Sequence, residues 1–144
     1  MKYVYLTISL LLTLFAFLMS SASGELSGDI SSSFSLTIYQ VIIEPIRFFN
    51  LSFDTFHTII RKLAHITEYL LMGYFWMVTF YQFKIKIGYV FALGLIIASL
   101  DEMIQLFSVD RGPSIIDVLL YDYLSFFVGA LFSTKYNHIS ILSK

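Results

Sequence analysis

The 144-residue sequence has no cysteine, two prolines, one tryptophan and only 13% charged residues. Without cysteine there is no disulfide framework, no thiolate metal site and no cysteine nucleophile. The missing charge is more telling. A soluble domain carries about 25% Asp, Glu, Lys and Arg, so roughly half of the expected charge is absent. Hydrophobic residues take its place at 58%, with a mean hydropathy of +0.79. A soluble globule of this size cannot turn so much apolar side chain away from water. Nine Lys and Arg against ten Asp and Glu leave a formal net charge of −1. That excludes the basic footprint of a nucleic-acid partner. The length fits one domain, residues 1–144. The class that remains is an all-α integral membrane protein.

A hydrocarbon core about 30 Å thick needs about 20 apolar residues at 1.5 Å rise each. Four segments meet this, at about 3–20, 63–83, 87–107 and 115–132. Only Lys84, Lys86 and their neighbours separate the second from the third, which predicts a tight antiparallel hairpin. Asp110, Arg111, Gly112 and Pro113 predict the next turn, since Gly and Pro interrupt a helix. Ser21-Ala22-Ser23 offers the small residues of a signal-peptide cleavage site. The single Lys2 and the long apolar stretch favour an uncleaved anchor. Between the first and second spans an extended polar-then-aromatic stretch is broken at Pro45. Its two apolar groups, Phe34–Ile43 and Phe48–Ile60, are too short to span and read as interfacial segments or a cover over the bundle mouth.

Orientation follows from Lys and Arg placement. With the amino terminus inside, Lys2, Lys84, Lys86, Lys135 and Lys144 fall on the cytoplasmic side, against Arg47, Arg61, Lys62 and Arg111 outside. The short hairpin with two Lys is the kind of loop that weighs most. Both termini are therefore expected in the cytoplasm of a multi-pass protein of the cell membrane.

The ionisable residues of the spans gather at one end. The second span opens with Lys62, His65 and Glu68; the third reaches Asp101, Glu102 and Gln105 near its far end; the fourth carries Asp117 and Asp122 near its beginning. Intramembrane charge is costly and points to function. At 100° per residue Lys62, His65, Glu68 and Tyr69 occupy an arc of roughly 120°. Asp101 and Gln105 share a stripe, as do Asp117 and Tyr121, with Asp122 well round from the latter. Adjacent Asp101 and Glu102 repel, so one must be protonated or paired. A pocket of Lys62, His65 and these carboxylates, capped by Arg111, follows, because paired charges are cheaper in lipid than lone ones. Blander readings stand beside it: Lys62 snorkelling to the headgroups, His65 and Glu68 as interhelical glue, and Asp117 capping the fourth helix. His57 and His138 fall in expected loops, and Gly73, Gly88, Gly94 and Gly129 read as close-packing sites. No nucleotide, serine-hydrolase or zinc-protease motif is present and no cofactor is expected; His65-x-x-Glu68 with Asp101 and Glu102 could supply N and O metal ligands, but that spacing is short and common, so a metal site is the minority reading.

Three elements together resemble the VanZ-like family of small bacterial membrane proteins. They are Arg61-Lys62-Leu63-Ala64-His65-Ile66-Thr67-Glu68-Tyr69, then Asp101-Glu102-Met103-Ile104-Gln105-Leu106-Phe107, then Arg111 through Ser114 to Asp117-Val118-Leu119. The resemblance covers roughly residues 31–132. One departure is Ser125, in the region where the family usually has a Gly after a second acidic or amide residue. The family is named for an accessory protein of glycopeptide resistance associated with reduced teicoplanin susceptibility. The resemblance implies a cell-envelope role and supplies no reaction. The expected ligand is amphiphilic: a membrane lipid, a lipid-linked cell-wall precursor or a lipoglycopeptide. In that reading Lys62 and Arg111 hold an anionic group, Tyr69, Gln105 and Asp117 line the site, and His65, Glu68, Asp101 and Glu102 bind or transfer protons. Two rivals stand beside it: an enzyme modifying a lipid or wall precursor at that pocket, and a structural partner of another envelope protein without chemistry of its own.

Overall fold

The computed structural model describes residues 1–21, 32–33, 35–43, 52–107 and 116–136. Among these there is no strand. The helices are α1 (Lys2–Ser21), α2 (Phe53–Gln82), α3 (Gly88–Gln105) and α4 (Leu124–Tyr136). Two π-helical segments accompany them, Tyr39–Ile43 ahead of α2 and Asp117–Tyr123 leading directly into α4.

Helix α2 starts ten residues before the expected span. Ser52, in an extended conformation, caps it by accepting from the Thr55 backbone N–H at 3.3 Å, and Asp54 follows in the positive first turn. The aromatic group once expected to be interfacial therefore continues into the helix from Phe53, and His57 lies on α2 rather than in a loop, stacked on Phe53. The π turn before it places Tyr39 edge-on to Phe53 and against Phe56. At the other end Ile85 N–H bonds the Phe80 carbonyl and Lys84 N–H the Tyr81 carbonyl. This is the six-to-one and five-to-two pattern that closes a helix with a left-handed residue, here Lys84 at φ 56°. The short hairpin expected at Lys84 and Lys86 is thus present.

Residue pairs fix the helix directions. Tyr3 meets Phe83, Ser9 bonds Thr79 at 3.0 Å, and Trp76 donates to Thr13 at 3.1 Å, so α1 runs antiparallel to α2. The buried seam of α1 is Ser9, Ala16 and Ser20, with Thr13 between, a small-residue stripe that lets helices approach. Helix α4 runs parallel to α2, since Lys62 and His65 meet Tyr121 and Asp122 just ahead of α4, while Gly73 meets Phe126 further along both. A Cβ on Gly73 would fall on the Phe126 carbonyl, and one on Gly129 would fall on the Leu70 carbonyl. Gly94 of α3 receives the Phe126 ring. Of the four glycines expected to pack closely, these three do; Gly88 has nothing within 4 Å of its would-be Cβ. The core is Tyr69, Met72, Trp76, Met77, Val90, Ile97, Ala98, Phe126 and Ala130, with Ala16 from α1.

The outward faces are apolar. Leu10, Leu11, Leu14, Phe15 and Leu18 are exposed on α1, and Leu95, Ile96, Leu100 and Met103 on α3. Among the described residues two helices, α1 and α3, are long and apolar enough to cross a membrane, against four expected spans. The other two segments are helical but fail that measure for identifiable reasons. Helix α2 mixes His65, Glu68, Tyr69, Tyr74 and Tyr81 into its apolar run. The last segment is divided into π and α parts. The expected turn at Asp110–Pro113, the break at Pro45 and His138 lie outside the described residues.

Candidate functional site

Three elements carry the polar groups to one end of the bundle: the middle of α2, the end of α3 and the π segment Asp117–Tyr123. Between them is a small cavity of about 60 Å³, lined by Lys62, His65, Glu102, Gln105, Tyr121 and Asp122. Helical spacing places Lys62 and His65 one turn apart on α2, and Glu102 and Gln105 one turn apart on α3.

The Lys62 ammonium lies 4.4 Å from the centre of the Tyr121 ring and donates to its hydroxyl at 3.4 Å. A cation over an aromatic face is held by the ring quadrupole. His65 Nδ1 is 3.7 Å from an Asp122 carboxylate oxygen, an ion-pair distance when the imidazole is protonated. The His65 ring stacks along the helix on Tyr69, centroids 6.4 Å apart. Gln105 donates to Asp101 Oδ2 at 3.3 Å, within one turn of α3.

A second layer lies behind the cavity wall. Asp101 and Tyr69 have no exposed surface, and Glu102 and Asp122 retain 8% and 3%. Glu68 and Asp101 lie close enough to repel, and the buried Tyr69 hydroxyl faces Asp101. Asp101 Oδ1 and Glu68 Oε1 are buried and accept no bond from the described residues. Neither Asp101 nor Glu102 points out of the bundle.

Of the residues singled out from sequence, Lys62, His65, Glu102 and Gln105 line the cavity, and Glu68, Tyr69 and Asp101 stand behind it. The backbone of Asp117 opens the π segment, but its side chain, like Arg111 entirely, lies outside the described residues. Of the pair expected to grip an anion, Lys62 and Arg111, only Lys62 lies among the described residues. Asp122 and Tyr121 are the wall residues that sequence reasoning undervalued. Asp122 looked well round from Asp117 only because an α-helical 100° step was assumed. In π geometry residues i and i+5 are bonded neighbours, which brings positions 117 and 122 to one face.

Among the described residues no three His, Asp or Glu side chains are placed to hold one metal ion. The polar constellation can instead hold a small charged or hydrogen-bonding group, and its His, Glu and Asp side chains have the chemistry for proton transfer.

No curated protein and no solved structure matches the chain. A family model, described as VanZ/LLP1, matches residues 3–135. That match takes in α1 as well as the three motif-bearing segments, well beyond the 31–132 on which the sequence resemblance rested. The chain belongs to the VanZ/LLP1 family.

Proposed function

We propose that this family member is a multi-pass protein of the cell membrane, with both termini in the cytoplasm. Its polar pocket lies near the outer leaflet and binds or modifies the polar end of an amphiphilic envelope ligand. That ligand is a lipid, a lipid-linked wall precursor or a lipoglycopeptide, and glycopeptide susceptibility is the expected phenotype. One observation carries this reading: six polar side chains from three elements surround one cavity at one end of an otherwise apolar bundle. Ionisable groups in lipid are expensive, and a bundle that needed only packing would not retain several together. The apolar outward faces of α1 and α3 support the membrane setting.

A second reading, a structural or regulatory partner of another envelope protein, draws on the His65–Asp122 contact, which ties α2 to the π segment. Charge-removing isosteres separate the two. Glu68→Gln and Asp101→Asn keep shape while removing a buried charge, so a scaffold tolerates or gains from them. A ligand site loses its envelope phenotype, read as glycopeptide sensitivity, at unchanged protein abundance in the membrane. Full activity of both variants would leave the scaffold reading in possession.

A further inference from the structure

We propose that the end of the bundle opposite the polar cavity is a docking surface for an anionic phospholipid, whose headgroup phosphate is held by Lys2, Lys84, Lys86 and Lys135. The surface is separate from the cavity and shares no residue with it.

Topology brings the four lysines together. Lys2 opens α1, and Lys84 and Lys86 lie in the hairpin between α2 and α3. Because α1 runs antiparallel to α2, its start meets the end of α2. The Lys2 ammonium lies 5.2 Å from the centre of the Tyr3 ring and 5.3 Å from that of Phe83, the residue just before Lys84. Helix α4 runs parallel to α2 and so carries Lys135, in its last turn, to the same end. All four lysines are exposed.

No carboxylate answers them. The Asp and Glu side chains among the described residues are Asp54, Glu68, Asp101, Glu102 and Asp122. Even Glu68, Asp101 and Asp122 are each about 20 Å of helix from the lysine end. Charges that far apart are largely screened in physiological salt, where the Debye length is about 8 Å. The lysines therefore repel one another without relief from the described carboxylates, and an anion between them removes that repulsion.

The surroundings favour a lipid over a free anion. Tyr3, Tyr81 and Tyr89 are exposed around the hairpin, and Ile85 is exposed between its two lysines. Tyrosines take this position at headgroup level, with the ring towards the acyl chains and the hydroxyl towards water. A phospholipid satisfies both sets, offering phosphate to the lysines and an interface to the rings. A free phosphate satisfies only the lysines. On the orientation proposed above, the surface faces the cytoplasmic leaflet, where acidic lipids attract polybasic segments. Binding itself does not depend on that orientation.

The test uses the full chain purified in maltoside micelles, which have no sides. The probes are phosphatidylglycerol, phosphatidylcholine with the same acyl chains, and inorganic phosphate, with binding read by native mass spectrometry and by the shift in thermal unfolding. Phosphatidylglycerol should bind more than about tenfold tighter than phosphatidylcholine, and the preference should shrink as salt rises. Lys84→Gln and Lys86→Gln should each weaken phosphatidylglycerol binding about fivefold. Lys86→Arg keeps the charge and should keep the binding, and Lys62→Gln, at the cavity end, should leave it unchanged. Should the glutamine variants fail to fold, the salt titration on the unaltered chain still decides, since a preference indifferent to salt overturns the proposal. Equal binding of the two lipids overturns it as well. Phosphatidylglycerol binding that is weakened by Lys62→Gln but not by the hairpin variants moves the anion to the cavity and overturns this surface. Inorganic phosphate displacing the lipid at equal concentration overturns the headgroup as its occupant.

Discussion

Gly73 of α2 and Gly129 of α4 each lie under a backbone carbonyl of the other helix. The carbonyl over Gly73 is that of Phe126, and the one over Gly129 is that of Leu70. A helical carbonyl projects towards the C-terminus, so in parallel helices each reaches beyond its own residue towards a glycine further along. This contact sets the height of α2 against α4. It thereby sets where Lys62 and His65 meet Tyr121 and Asp122, several turns closer to the site.

Gly73→Ala and Gly129→Ala should accordingly push the helices apart. Overpacking costs about 1–3 kcal/mol, and the upper end is expected because the obstacle is backbone rather than a side chain that can turn. Thermal unfolding in detergent should show both variants strongly destabilised and Gly88→Ala, which meets open space, unchanged. An equal drop in all three would mean that helix content, not the crossing, is being measured.

Further along α2, α1 is held by two hydroxyl contacts, Ser9 with Thr79 and Trp76 with Thr13. Thr13→Val keeps the shape and leaves the Trp76 indole N–H without its acceptor. Interhelical hydrogen bonds in membranes average about 0.6 kcal/mol, so stability should fall slightly. Trp76 is the single tryptophan of the chain. Its fluorescence should therefore shift to the blue in the variant, and an unchanged spectrum would contradict the bond.

The site end of the bundle was legible in sequence because charge in an apolar helix stands out against composition: Lys62, His65, Glu68, Asp101 and Glu102 needed only the 3.6-residue period to be gathered. Close packing at Gly73, Gly94 and Gly129 was legible for a similar reason, small residues within long apolar runs. Two features escaped. The start of α2 was missed because the aromatic run before Leu63 resembles an interfacial segment, although Ser52 with Asp54 was a readable cap signal. The orientation of Asp122 was missed because nothing in Asp117-Val118-Leu119-Leu120-Tyr121-Asp122 marks a π-helix, a rare geometry that a 3.6-residue period does not anticipate.

Lys84 closes α2 in the left-handed region at φ 56°, where a side chain costs about 1–2 kcal/mol and glycine nothing. Part of that is returned by the greater freedom of glycine in the unfolded chain. Lys84→Gly should therefore raise stability by about 0.5–1 kcal/mol, with Lys86→Gly, outside that conformation, as the control. Matched unfolding midpoints for the two variants would argue against the strain.

The absence of cysteine permits a direct test of topology. The pairings of α1 with α2 and of α2 with α4, together with the Lys84–Lys86 hairpin, make the four helices alternate in direction. If all four cross the membrane, the two ends of α3 lie on opposite sides. Lys86 is exposed before α3, and Phe107, 87% exposed, follows it at the site end. Single Lys86→Cys and Phe107→Cys variants in intact cells should then differ towards a membrane-impermeant maleimide. Phe107→Cys should label from outside, and Lys86→Cys only after permeabilisation, since the hairpin lysines are expected in the cytoplasm. The reverse pattern would place the pocket at the cytoplasmic leaflet and remove extracellular glycopeptides from its ligands. Labelling of both from outside would show that α3 does not span, and with it the four-span arrangement would fall.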